Sequence, residues 1–259
     1  MFSCGEPIVP RDLRRMRAAG AALRTARHAP GRPVNFFGHA VVACWFDRRP
    51  AFVLGAMLPD LSAMLRIRPP RAVESLLARG IALHHATDAA FHAAPAFLGM
   101  QDRARIALAE LGLGRGPARA IAHVGTEILL DESLGKDSEV ERAYLAALDA
   151  SAAELAELEA RIDAARIERL ARDLAARGVL RDPEPALVAR RLRRALETHP
   201  RLSFGAREES TVAVWVAQSR PQIAAEADEL VDHLRSRLAV PVQSGSCFSG
   251  FRQPDSPRD

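Results

Sequence analysis

Leu83-His84-His85-Ala86-Thr87-Asp88-Ala89-Ala90-Phe91-His92 belongs to a run in which apolar residues return every three or four positions. That is the period of a helix with one buried face, not the strict alternation of a strand. Its polar members keep the same beat. His84, Asp88 and His92 stand at i, i+4 and i+8, within an arc of about 80° on one face and over roughly 12 Å of rise. A second stretch, His123-Val124-Gly125-Thr126-Glu127-Ile128-Leu129-Leu130-Asp131, repeats the spacing with His123, Glu127 and Asp131.

Outward from these stretches the helical period extends from Val34 to about Gly135. It predicts helices over Asn35–Asp47, Ala51–Ile67, Arg71–Phe91, Ala96–Leu111 and Pro117–Leu134. Breakers separate them: Arg49-Pro50, Arg68-Pro69-Pro70, Pro95, and the glycine-rich Gly112–Pro117. Further on, ASAAELAELEARIDAARIERLARDLAARG (150–178) is rich in strong helix formers. With Asp137 and Ser138 as caps and Gly178 as a stop, it predicts one long helix or a helical pair over 137–178. Ala186–Glu197 and Glu208–Leu238 follow, the latter kinked or divided at Pro221. No Asn-Gly or Asp-Gly hairpin appears, so the expected class is all-α.

Three regions are expected. Residues 1–33 form a basic arm, with seven arginines against the single acid Asp12 between Arg11 and Arg32. Val34 could be a start codon, so this arm is expected to be dispensable for folding. Residues 34–240 form one helical domain, divided into a metal core (34–135) and a helical extension (136–240). Residues 241–259 read as a flexible tail.

At 259 residues, 48% apolar and 26% charged, the chain can bury a large core and is neither disordered nor collagen-like. No apolar run reaches membrane-spanning length, and the first residues lack a secretory pattern. Cys4, Cys44 and Cys247 form no metal or disulfide motif, which fits a reduced, cytoplasmic protein. Net charge is +4, and every one of the 36 basic residues except Lys136 is arginine. An acidic partner would suit this surface, and coding bias explains it equally well. Few aromatics and no P-loop argue against a single-strand nucleic-acid platform or a nucleotide site.

The chemistry lies in the two triplets. Burying several such groups without compensation costs several kcal/mol each. A divalent cation is the simplest compensation, because it accepts imidazole and carboxylate together. His39 and Asp60, each within an apolar segment, join the candidates, giving His39, Asp60, His84, Asp88, His92, His123, Glu127 and Asp131. That supply suits two ions bridged by a carboxylate. Either triplet alone would fit a polar helix face, and His39 or Asp60 alone a core or capping residue. Two triplets at one spacing in apolar helices point to metal. His85 lies about 100° from His84 and is a neighbour at most. His28, His199 and His233 read as surface residues. Glu132, Thr126 and Thr87 could orient the ligands.

Asn35-Phe36-Phe37-Gly38-His39, then Gly55 to Asp60, then Gly80-Ile81-Ala82-Leu83-His84 with Asp88, resemble the bacterial acyl carrier protein phosphodiesterases, divergent all-α relatives of the HD-domain metallophosphohydrolases. The likeness covers about residues 34–135. It implies an HD-like bundle that uses a divalent metal, often manganese, to release 4′-phosphopantetheine from an acidic carrier protein. There are departures: His85 stands where the family has Arg, Thr87-Asp88 replaces Ile-Asp, His92 replaces a second Asp, and His123 with Glu127 replaces a later Asp-rich run. The same residues also resemble zinc-dependent phospholipase C relatives, in which the zinc ligands would be His39, Asp60, His84 with Asp88, and His123 with Glu127. Both resemblances imply phosphodiester hydrolysis. His39, His84, Asp88, His123 and Glu127 would be inner ligands of one or two ions (Mn, Zn or Fe). Asp60 and Asp131 would be ligands or water-orienting bases, and His92 a ligand or leaving-group acid. A di-iron redox enzyme and a non-catalytic helical interaction module are the rival readings.

Overall fold

Prolines and capping side chains mark where the helices begin. Pro50, Pro95 and Pro185 stand in first helical turns, where a missing N–H costs nothing. Ser75 accepts from Ala78 N, and Asp137 from Glu139 N and Val140 N, satisfying donors that a first turn leaves unpaired. The computed structural model describes residues 36–68, 75–156, 164–179 and 181–240. Among the described residues it has ten α-helices and no strand: α1 (Phe36–Cys44), α2 (Pro50–Leu65), α3 (Leu76–His92), α4 (Pro95–Glu110), α5 (Arg115–Leu134), α6 (Ser138–Asp149), α7 (Ser151–Ala156), α8 (Ala164–Arg177), α9 (Pro185–Leu196) and α10 (Glu209–Arg237). The expected basic arm and C-terminal tail lie outside the described residues.

The all-α expectation holds, and the differences in detail have local causes. α1 stops at Cys44, short of the expected Asp47, because Trp45 and Phe46 close tight turns onto Val42 and Ala43. Asp47 then accepts from Arg49 N, fixing the break before Pro50. α5 starts two residues before Pro117, whose lost N–H falls in the first turn, where no intrahelical acceptor exists. The segment expected as one helix or a pair is three helices, α6, α7 and α8, with residues 157–163 outside the described set. Propensity favoured helix throughout, but α8 turns back to bury Ile167, Ala171 and Leu174, packing on α6 and α2. Pro221 does not divide α10. It sits on the exposed side, where a backbone carbonyl that lacks its helical partner is open to solvent.

α2 is the centre of the molecule. Every residue from Ala51 to Ser62 is buried, with α1, α3 and α6 packed around it. Its contact with α3 is a backbone-to-backbone approach. A Cβ on Gly80 would lie 2.2 Å from the Phe52 carbonyl oxygen, and one on Gly55 would lie 2.3 Å from that of Leu77. Only glycine permits this spacing. One turn beyond the crossing α3 carries His84, while α2 carries Ala56 at the crossing and Asp60 about one turn further on. The extension closes over the core through α10, which runs along α4, α5 and α9. Trp215 is fully buried against Gly125. Arg103 pairs with Glu226, and Arg193 with Glu209.

Candidate metal centre

The two triplets face each other, and the fold divides the first of them. His84 joins His39 of α1 and Asp60 of α2, while His92 joins His123 and Glu127 of α5. Within each group of three, the ligand atoms lie within 4.8 Å of one another. Asp88 stands between the groups. Its Oδ1 is 3.3 Å from His39 Nε2 and 3.9 Å from His92 Nε2, and its Oδ2 is 3.7 Å from His84 Nε2. Helix geometry explains the division, because His84 and His92 are separated by about 12 Å of rise, too far for a single ion. The residue midway between them reaches both sides.

Burial falls from one group to the other. His39, His84 and Asp60 are buried, and Glu127 is buried at the base of the second group. The side chains of Asp88 and His123 are 38% and 40% exposed, so the cluster opens on the α3–α5 side.

The donor set fits a divalent cation on two observations. Three ligands about 2.1 Å from a tetrahedral ion are about 3.4 Å apart. His39 Nε2 to Asp60 Oδ2 is 3.6 Å, and His123 Nε2 to Glu127 Oε1 is 3.2 Å. Most of the nitrogen–oxygen separations in the cluster exceed hydrogen-bond length. Asp60 Oδ2 is moreover a buried oxygen with no hydrogen-bond donor. The second observation is orientation. His84 Nδ1 donates to the Ala56 carbonyl at 3.0 Å, which leaves Nε2 as the lone-pair nitrogen facing the cluster.

Gln101 of α4 places its amide nitrogen against His123 Nδ1, a contact the sequence reading missed. Its signal was available: Gln101 stands four residues after buried Phe97 and three before buried Ala104, on the inward edge of α4. With the amide nitrogen donating to Nδ1, the neutral ring carries its proton on Nε2, facing Glu127 Oε1 at 3.2 Å; an ion at this group would require the amide turned over, its oxygen accepting from Nδ1–H.

Electrostatics follow from the crowding. Burial and the neighbouring carboxylates Asp60, Asp131 and Asp88 push Glu127 well above the usual range. Burial pushes Asp60 up to about 6, opposed by His39 and reinforced by Asp88. Burial also works against ionised Asp88, but the hydrogen bond and charge of His39, with His84 and His92, hold it well below its ordinary value. For His39, burial is outweighed by Asp88, Asp60 and Asp131, and its pKa is raised. Burial and the charge of His39 depress His84 strongly. A cation among these groups would relieve the carboxylate repulsion.

Other candidates occupy other roles. Asp131 Oδ1 accepts from Gly38 N at 2.8 Å, so this carboxylate pins the start of α1 and belongs to neither group of three. Glu132 points away, paired with Arg220 at 3.1 Å. His85 is exposed, edge-on to His84, as a neighbour would be. His199 and His233 are partly buried, and His233 Nε2 is shielded from solvent, which corrects the surface reading for that residue. Thr87 and Thr126 are buried beside the ligands. No described helix is long and apolar enough to cross a membrane. No family model matches the chain, and neither the curated proteins nor the solved structures yield a match.

Proposed function

We propose that this chain is a metal-dependent phosphodiester hydrolase. The observation that carries the reading is Asp88, a carboxylate poised between two three-residue groups of imidazole and acid on a helical scaffold. His39, Asp60 and His84 would hold one ion, His92, His123 and Glu127 a second, and Asp88 would bridge them. Such ions, when bound, ionise water near neutral pH and neutralise charge on phosphoryl oxygens.

The chain's own residues do the rest. Ala56 O fixes which ring nitrogen of His84 faces the reacting centre, and Gln101 holds the His123 ring in place through Nδ1. The buried walls of α1 and α2 exclude solvent from the inner group, and the partly exposed Asp88 and His123 define the side from which substrate enters.

The resemblance of residues 34–135 to acyl carrier protein phosphodiesterases supports a holo carrier protein as substrate, and the phospholipase C likeness supports a lipid phosphodiester. The test is metal analysis of the purified chain, then activation by Mn, Zn and Fe on an aryl phosphodiester and on holo carrier protein. Metal-stimulated turnover of either substrate is the expected result. Stoichiometric iron with dioxygen consumption and no hydrolysis would replace the proposal with a redox enzyme.

A further inference from the structure

His84 and His123 each have a protein partner on the nitrogen that faces away from the cluster. His39 does not. Its Nε2 faces Asp60 and Asp88, while Nδ1 is buried without a hydrogen-bond partner. Thr87 Oγ1, on α3, is likewise buried and unpartnered. The two residues are each 4% exposed, and both line one cavity of about 20 Å³. The remaining wall is almost wholly apolar and includes Val42, Phe91 and Leu130 of the core, with Leu230 and Leu234 of α10.

These facts constrain one another. A buried imidazole N–H or hydroxyl without a partner costs roughly 1–3 kcal/mol. A cavity of 10–15 Å³ on this measure is enough for one water, and such a water needs at least two polar partners. This cavity has the volume for one, and both residues, each with an unpartnered side-chain atom, line it. We propose that it is a binding site for a single structural water, which accepts from His39 Nδ1–H and bonds to Thr87 Oγ1. The water performs for His39 what Ala56 O performs for His84: it fixes the tautomer that turns the Nε2 lone pair toward the cluster. α10 supplies part of the wall with Leu230 and Leu234, which gives the C-terminal extension a part in the centre. The ligand-orienting role, though not the water itself, rests on the metal reading above.

The test uses the full chain. Crystals diffracting well enough to order solvent should show density within hydrogen-bond distance of His39 Nδ1 and Thr87 Oγ1, with or without zinc. A well-ordered but dry cavity overturns the proposal. In competition with a chromophoric chelator, Thr87→Val should bind zinc 10–100-fold more weakly than the parent chain, as loss of an outer hydrogen-bond partner does. Thr87→Ser should stay close to the parent. Equal zinc affinity in the parent and a folded Thr87→Val variant overturns the orienting role. A parent chain that takes up no zinc overturns the metal reading, and the density in metal-free crystals still decides the water.

Discussion

Asp88 shows what one residue does here. Its carboxylate lies within 4 Å of His39, His84 and His92 together, so its loss severs the two groups. Asp88→Ala or His84→Ala should abolish stoichiometric metal and metal-stimulated activity while helicity is retained, read by metal analysis and circular dichroism. The raised groups set a pH dependence in the metal-free chain. Glu127 and His39 have folded pKa values above their unfolded ones, so both bind protons more readily when folded. Their stabilising contribution is complete below the unfolded values and is lost as pH rises through the folded ones. Asp60, at about 6, has mostly lost its share by pH 6.5. Depressed His84, with an unfolded value of 6.5, offsets part of this near pH 6.5; Asp88 is ionised in both states throughout the window, and raised Asp131 adds to the loss. Chelated protein should therefore become less stable from pH 6.5 to 8, by at most about 1.4 kcal/mol per pH unit for each group. Metal-loaded protein should show the opposite trend, since binding requires deprotonated ligands. Thermal unfolding across that range checks both.

At the scale of elements, the crossing of α2 and α3 decides the inner group. Gly80→Ala would drive a methyl against the Phe52 carbonyl, and overpacking of this kind costs about 1–3 kcal/mol. Because the same contact sets His84 beside Ala56 and Asp60, the variant should lose metal affinity as well as stability, measured by urea unfolding and chelator competition. The helices themselves were legible in the sequence because their apolar period and their prolines are local signals. The three-way division of 137–178 was not, since alanine-rich sequence favours helix wherever it runs, and only the packing of α8 back on α6 imposes the reversal. Of the two outcomes the sequence allowed at Pro221, a kink or a division, the division does not occur: α10 runs on through it, with Pro221 on an exposed face.

Across the whole molecule, α10 joins the extension to the core. Trp215→Ala should remove about 3–5 kcal/mol of stability, because the buried ring fills the space left by Gly125. Urea unfolding checks the cost, and a single cooperative transition would show that extension and core unfold together. The two ligand stripes were readable from spacing alone, because an i, i+4 repeat puts side chains on one face whatever surrounds the helix. His39 and Asp60 were readable as polar residues stranded in apolar runs.

What only the tertiary structure decided was partnership. It split His84 from His92, put Asp88 between the groups, brought in Gln101, and set Asp131 against the start of α1 beside them. Helical periodicity fixes direction around one axis. Which groups then meet depends on how close two axes can come, and here that distance is set by the glycines at the α2–α3 crossing.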